Sequence, residues 1–156
     1  MKKESLESKI WRWVGNWFPA YRGSGAKVTY VSSDFHDVCI KLPCNWRTKN
    51  HMGITWGGSL YAALDPIYGV MLYKILGRQY RVIDSQAEIR FLKPGKETLY
   101  AHFEISEDEL STLKEQLTHS DKTRMQLQVS LKNKQGVVHA TCDKHIHISR
   151  IKRALA

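Results

Sequence analysis

The sequence predicts an α+β fold in which an antiparallel sheet of five to six strands wraps around one long central helix. Several segments alternate apolar and polar residues with a period of two, as strands with one buried face do. The stretch from 57 to 77 is instead apolar on all sides, which is typical of a helix in the middle of a domain. Two pairs of the alternating segments are joined by short turns and therefore predict hairpins, whose strands pair antiparallel.

Length and composition indicate one globular domain. The chain has 156 residues, of which 42% are hydrophobic and 25% charged, so it fits neither a disordered nor a low-complexity class. We predict a single domain over 1–156, with its core over about 25–150. Three cysteines without paired spacing argue against a disulfide framework and favour a reducing, cytoplasmic location. No run of eighteen apolar residues occurs, so we expect no membrane span.

The charge balance favours anionic partners. The chain carries 24 lysines and arginines against 15 acidic residues, a formal net charge of +9. Such a field attracts nucleic acid, anionic lipid and phosphate-bearing small molecules such as coenzyme A alike, because it acts on charge and recognises no particular chemistry. No nucleic-acid-binding motif occurs and the lysines are scattered, so nucleic acid is not the partner that we expect.

An amphipathic helix is predicted at the N-terminus, over about 5–18. Its apolar residues keep helical spacing, and Pro19 ends the pattern: Leu6, Ile10, Trp13, Val14 and Trp17. Amphipathic helices usually face a core, so we expect this stripe to pack on the domain's own sheet. The alternative is that the stretch lies on a membrane surface, since tryptophans and basic residues cluster in it.

Strands account for most of the remaining chain. A capping box at Ser106 and Glu109 predicts a short amphipathic helix between two of them. We expect a hairpin on each side of this helix, the first turning at Pro94-Gly95 and the second at 133–136. The strands are predicted over 28–31, 38–42, 87–91, 99–105, 125–131 and 138–148.

One carboxylate stands out within the apolar helix. Asp65 is the only ionisable group between Gly57 and Lys74 apart from three tyrosines. Burying a carboxylate without a partner costs several kcal/mol, so such a residue is hydrogen-bonded, placed at a subunit boundary, or kept for its basicity. The last case is what a general base requires. The alternative is a satisfied core carboxylate that caps a loop or bridges subunits.

Two glycines precede this helix. Gly57 and Gly58 stand where the helix begins, and the first amides of a helix are unpaired donors at the positive end of its dipole. Such donors can bind an oxyanion, and glycine lets a substrate carbonyl approach the backbone closely. A carbonyl bound between two subunits would meet these donors and Asp65 together. Taken alone, the pair also fits a tight turn.

A family resemblance joins these features. The stretch from 50 to 58, Asn-His-Met-Gly-Ile-Thr-Trp-Gly-Gly, with Asp65 nine residues after Trp56, resembles the hotdog-fold thioesterases of the phenylacetate-degradation type. That family shows asparagine, glycine three residues later, His-Gly-Gly three later again, and an acid nine beyond the histidine. The resemblance continues in the segment Ile-Arg-Phe-Leu-Lys-Pro-Gly at 89–95. It implies a hotdog fold that forms at least a homodimer, with the site between protomers.

The resemblance also implies roles for individual residues. Asp65 would act as general base or nucleophile against the carbonyl of a fatty acyl-CoA thioester. The amide of Gly58, with that of Gly57, would polarise this carbonyl, and Asn50 would orient water or substrate. By itself, an asparagine at this place is more often a turn residue. Substrate contacts would come from Trp56 and, at the coenzyme A phosphates, from Arg90 and Lys93, which alternatively are solvated turn charges.

Two departures from the family pattern bear on catalysis. Trp56 stands where the family has histidine, and an indole nitrogen only donates, so proton handling by that histidine is absent. Pro66 deletes a helical amide directly after Asp65 and predicts a kink there. The alternative function is therefore a non-catalytic hotdog protein that binds acyl-CoA or fatty acyl groups. The pattern also fits an uncharacterised thioesterase-like relative of the family.

No metal or cofactor is expected. His139, His145 and His147 share one face of a predicted strand, but nine residues of strand spread them too far for one coordination shell, at about 3.3 Å per residue.

Overall fold

Six antiparallel strands form one sheet in the computed structural model, which describes residues 2–151. Helices pack against one face of the sheet, and two helices form the N-terminal part of the chain. In chain order the elements are α1 (Leu6–Trp17), α2 (Pro19–Ser24), β1 (Lys27–Val31), β2 (Asp37–Leu42), α3 (Gly57–Leu64), α4 (Ile67–Leu76), β3 (Tyr80–Phe91), β4 (Leu99–Glu104), α5 (Glu107–His119), β5 (Lys122–Lys132) and β6 (Val138–Arg150).

The strand order confirms the predicted architecture and corrects one connection. The order is β1-β2-β4-β5-β6-β3, with β1 and β3 at the two edges. The predicted hairpin of β5 and β6 is confirmed. The predicted hairpin of β3 and β4 is wrong, because β3 pairs with β6 whereas β4 lies between β2 and β5. Alternation indicates which face of a strand is buried but carries no information about its neighbours.

The central helix is divided at the predicted kink. It runs as α3 and α4, separated by Asp65 and Pro66, and it fills the core with fully buried side chains on both segments. Proline supplies no amide to the helical ladder. Two side chains from elsewhere bind carbonyls at the break: the Tyr21 hydroxyl donates to the Ala63 carbonyl at 3.3 Å, and Lys144 donates to the Asp65 carbonyl at 3.0 Å.

The helix α1 packs on the edge strand β1 with its polar face. Ser5 caps it, and the Asn16 carboxamide accepts from the Val28 amide at 2.8 Å and donates to the Val28 carbonyl at 2.9 Å. Because Asn16 supplies the hydrogen bonds that a neighbouring strand would supply, it fixes the rotation of the helix. The expectation that the apolar stripe faces the sheet is therefore wrong. The stripe points away from β1, with these side chains exposed: Leu6, Ile10, Trp13, Val14 and Trp17.

The predicted capping box at the start of α5 is confirmed. Ser106 and Glu109 bond reciprocally, each to the backbone amide of the other. The helix then buries its apolar side, comprising Leu110, Leu113 and Leu117. Within residues 2–151, no helix combines the length and the apolarity needed to cross a bilayer.

A glycine substitution tests the packing at the end of α2. Gly25 has φ of 84°, and a Cβ added there would overlap the Thr48 methyl group. Gly136 has the same φ, but a Cβ there would meet nothing within 4 Å. Both alanine variants incur about 1–2 kcal/mol of backbone strain, and Gly25→Ala adds about 1–3 kcal/mol of overpacking. Urea unfolding is expected to show the larger loss for Gly25→Ala; equal losses would mean that Thr48 yields freely.

Candidate active site

Asp65 lies at the helix break and forms an ion pair with a buried lysine. Its Oδ1 atom is 2.9 Å from Nζ of Lys144, whose side chain is fully buried, while 44% of the Asp65 side chain is exposed. Lys144 also contacts the carboxylate of Asp84 on β3. Asp65 is thus a partnered carboxylate with one side open to solvent. The structure bears out one of the cases foreseen for it, the hydrogen-bonded and satisfied carboxylate, whereas its 44% exposure was not foreseen.

The ion pairs determine the charge state of this cluster. Burial alone would lower the pKa of the Lys144 ammonium, but hydrogen bonds to Asp84 and Asp65 outweigh burial and leave this pKa above its ordinary value. Lys144 is therefore charged at neutral pH. The ring of Tyr61 lies 5.5 Å from Nζ of Lys144. Burial raises the pKa of the Tyr61 phenol, and Asp65 beside it raises that pKa further, so Tyr61 remains protonated.

Asp84 has one unsatisfied oxygen. Its Oδ2 atom contacts Lys144, whereas Oδ1 is buried and accepts no hydrogen bond from residues 2–151. Asp84 stands beside an irregularity in the register of β3 against β6, between Asp84 and Gln86, and such bulges redirect side chains. Two carboxylates, of Asp65 and Asp84, share the single ammonium of Lys144. The cluster therefore has more hydrogen-bond acceptors than Lys144 can satisfy.

The N-terminus of α3 presents unpaired amides. Neither a backbone nor a side-chain oxygen within residues 2–151 accepts a hydrogen bond from Gly57, Gly58 or Ser59, and the residue preceding the helix provides no side-chain cap. These donors stand at the positive end of the helix dipole. These amides are therefore unpaired in this structure, and their binding of an oxyanion stays a prediction.

Two aromatic rings flank these amides. A Cβ added to Gly58 would lie 2.9 Å from the indole of Trp56, and one added to Gly57 would lie 3.3 Å from the ring of Phe91. Both rings are mostly exposed, at 62% for Trp56 and 56% for Phe91. The space that glycine leaves is thus occupied by aromatic side chains that form apolar walls.

Asn50 closes the loop that precedes α3. Its Oδ1 atom accepts from the amides of Met52 at 2.9 Å and Ile54 at 3.3 Å, and Gly53 completes the turn with φ of 73°. This is the turn role that the sequence also allowed. The carboxamide nitrogen of Asn50 remains as the group that can donate to a ligand.

The loop after β3 is fastened to the same region. The amide and hydroxyl of Thr55 both donate to the carbonyl of Gly95, at 2.7 and 3.1 Å, which brings the segment around Lys93 to the N-terminus of α3. Lys93 is exposed, whereas Arg90 donates to the carboxylate of Asp143 at 2.6 Å. Of the two predicted phosphate contacts, Lys93 is therefore the less engaged.

Gly58 and Asp65 are separated along one helix. Seven residues at about 1.5 Å each place them about 10 Å apart, which exceeds the reach of a single carbonyl group. Within one protomer, the amides and the carboxylate therefore stand at opposite ends of α3.

An apolar cavity lies next to the helix break. It has a volume of about 300 Å³ and is enclosed by α1, the strands β1 and β2, and the start of α4. Pro66 and Ile67 form part of its wall, directly after Asp65 in the chain. Its lining is almost entirely hydrocarbon, so it suits an aliphatic chain rather than a polar ligand.

Sequence reasoning missed Lys144 and Asp84. A signal for Lys144 was present, because the inward positions of β6 recur every second residue and include Cys142, Lys144, Ile146 and Ile148. A lysine in such a row requires a buried counter-charge. No comparable pattern marks Asp84, which lies on a strand whose alternation is interrupted.

The histidine row does not converge on one point. His139 lies beside the Pro94 carbonyl at 3.1 Å. A different group, Asp37, His102 and Glu104, stands on the sheet surface with potential ligand atoms within 4.8 Å of one another. Because His102 and Glu104 are exposed and His102 already pairs with Asp37, the absence of a metal stays our prediction.

Comparison with known proteins identifies the fold. Residues 8–148 match the model of a domain of unknown function, DUF4442. No curated protein matches the chain. Among solved structures, PA5026 of Pseudomonas aeruginosa, a protein of unknown function described as a probable thioesterase, has a TM-score of 0.81 at 18% identity, covering 97% of this chain and 100% of that one.

Two further structures agree. A protein of unknown function from Chlorobaculum tepidum has a TM-score of 0.74 at 14% identity, covering 92% of this chain and 93% of that one. The thioesterase HI1161 of Haemophilus influenzae has a TM-score of 0.71 at 11% identity, covering 99% of both chains. At these identities the likeness establishes the fold, which is the predicted hotdog fold.

Proposed function

This chain belongs to the DUF4442 family, and from its hotdog fold and the site at α3 we propose that it hydrolyses acyl thioesters, with fatty acyl-CoA as the substrate class. The observation that carries the proposal is Asp65, a carboxylate held by a buried lysine yet 44% exposed at the break of the helix whose N-terminal amides are unpaired. An accessible acid and oxyanion donors are the groups that acyl transfer requires.

The proposed reaction is attack of water on the thioester carbonyl. Asp65 takes a proton from water as the new C–O bond forms, and the amide of Gly58, assisted by Gly57, stabilises the oxyanion. Collapse of this intermediate breaks the C–S bond, and the proton passes to the leaving thiolate. Asn50 would orient water or substrate through its carboxamide nitrogen. Attack by Asp65 itself, followed by hydrolysis of the anhydride, uses the same groups.

The site requires two subunits in this proposal. Because about 10 Å separates Gly58 from Asp65 along the helix, one protomer would supply the amides and another the acid. The edge strand β3 supports such a homodimer: it is twelve residues long, pairs on one side only within residues 2–151, and exposes Ile83 and Phe91. Pairing of two β3 edges would extend the sheet across the dimer, which could pair again into a tetramer.

The substrate would span three surfaces. The acyl chain fits the apolar cavity beside Pro66, and Trp56 would contact the thioester region. The phosphates of coenzyme A would meet Lys93, with Arg90 available on release from Asp143. Such a substrate suits a cytoplasmic enzyme that carries a net charge of +9.

Binding without catalysis is the alternative function. The indole of Trp56 occupies the space over Gly58, and Lys144 occupies one oxygen of Asp65. If neither group yields to substrate, the protein would hold acyl-CoA and leave the thioester intact.

A panel of acyl-CoA esters distinguishes the two functions. Purified protein is incubated with short, medium and long acyl-CoAs, thiol release is recorded with a chromogenic disulfide, and binding is measured by calorimetry. We expect thiol release that saturates with substrate for at least one chain length. Binding without release across the panel would refute hydrolysis and support the alternative, and neither binding nor release would refute both.

A further inference from the structure

The side of α1 that faces away from the sheet is strongly apolar. We call it the outer face of α1. Its side chains are 45% to 78% exposed: Leu6, Ile10, Trp13, Val14, Trp17 and Phe18. The opposite side of the helix is fastened to β1 through Asn16, so rotation cannot bury this face. A contiguous exposed patch of this kind marks an interaction surface.

Basic side chains surround the outer face. Residues 2–27 contain six lysines and arginines and two glutamates. Both glutamates are neutralised within the fold, Glu4 by Arg12 and Glu7 by Lys74. Three of the basic residues that lie on or next to α1 form no ion pair within residues 2–151: Lys3, Lys9 and Arg22. The patch is therefore apolar at its centre and cationic at its margin.

We propose that the outer face of α1 docks on the surface of an anionic lipid bilayer. An amphipathic helix with bulky apolar groups on one side and basic groups at its border lies in the plane of the membrane interface. Trp13 and Trp17 have the residue type that prefers this interface, because the ring is apolar and the indole nitrogen still donates. Arg22 stacks 4.9 Å from the ring of Trp17, which places a cation at the same level.

A second copy of the chain fits this face less well. A symmetric contact would bring the unpaired lysines of both copies together, and like charges oppose association. Anionic lipid neutralises the same charges.

The apolar cavity supports the choice of lipid. Val14 and Phe18 belong to the outer face and also line the cavity beneath α1. The hydrocarbon surface is therefore continuous from the outside of the helix into the interior of the protein. A membrane on this face would keep the mouth of the cavity away from water.

Co-sedimentation with vesicles tests the proposal. The full chain is incubated with vesicles of phosphatidylcholine alone and with vesicles containing 30% phosphatidylglycerol, at low and high salt. We expect binding to the anionic vesicles that weakens at least tenfold in Ile10→Asp/Trp13→Asp and severalfold in Lys3→Glu/Lys9→Glu. Val137→Asp changes an exposed apolar residue in the β5–β6 turn and is expected to bind like the wild type.

Circular dichroism confirms folding of each variant, and the charge-reversal pair changes only exposed lysines. Failure of the wild type to bind anionic vesicles would overturn the proposal, as would unchanged binding by both double variants. Light scattering without lipid tests whether a second copy of the chain binds this face. Self-association that Ile10→Asp/Trp13→Asp abolishes would assign the face to a second copy. Because vesicle binding requires no catalysis, these results are independent of the proposed hydrolysis.

Discussion

Asp65→Asn is expected to lower kcat for acyl-CoA hydrolysis by about 10²–10⁴, the usual contribution of a general base. Asparagine keeps the size of the side chain and an oxygen that can accept from Lys144, which donates to Oδ1 at 2.9 Å. The variant is therefore expected to fold and to bind substrate with little change in KM. Thiol release under saturating acyl-CoA, with folding checked by circular dichroism, measures the effect.

Asp84→Asn provides the matched control. It makes the same chemical change in the second carboxylate that pairs with Lys144. Asp84 lies on β3 and not at the helix break. We expect a loss in kcat of less than about tenfold, because Asp84 positions Lys144 and does not attack substrate in the proposed reaction. Equal losses in the two variants would assign the effect to the ion cluster as a whole and contradict the role of Asp65.

Lys144→Met is expected to reduce the free energy of unfolding by about 2–4 kcal/mol. Removing one member of a buried ion pair leaves its partner charge uncompensated, which costs about 3–5 kcal/mol when that partner is also fully buried. Here Asp65 and Asp84 keep 44% and 28% exposure, so water replaces part of the lost interaction. The break at Pro66 also loses the donor to the Asp65 carbonyl. Urea unfolding gives the difference.

A triple variant separates uncompensated charge from the lost hydrogen bond to the Asp65 carbonyl. In Lys144→Met/Asp65→Asn/Asp84→Asn the buried cation and both anions are removed together, so no uncompensated charge remains. We expect it to recover at least half of the stability that Lys144→Met loses, because replacement of a complete ion cluster is often close to neutral. A triple variant as unstable as the single one would mean that the hydrogen bond from Lys144 to the Asp65 carbonyl, and not uncompensated charge, accounts for the loss.

Much of the architecture could be predicted from the sequence because it depends on local periodicity. The alternation over 125–131 and 138–148 reports strands with one buried face, and the two lie together as a hairpin. The same logic misplaced β3 beside β4, since two strands that follow one another need not pair. Strand pairing depends on which strands become neighbours when the whole chain folds, and the alternation within a single strand does not indicate its neighbours.

The site was predictable in its types of residue and less so in its connections. Spacing identified Gly58 and Asp65 as a helix start and a lone acid, and the structure leaves those amides unpaired. Their roles in catalysis stay a prediction until variants are measured. The partners of Asp65 were not foreseen, because Lys144 is 79 residues away in the chain and only the folded sheet brings it beneath the helix.

The sequence by itself determined the strands, the all-apolar central helix, its interruption at Pro66 and the amphipathic character of α1. Each of these follows from the order of apolar, polar and special residues over a few turns or a few strand positions. Tertiary structure alone decided that Lys144 holds Asp65 and Asp84, and that α1 turns its apolar stripe outward because Asn16 binds the backbone of β1. Such contacts join residues far apart in the chain, and the local order of apolar and polar residues does not indicate which distant residues will meet.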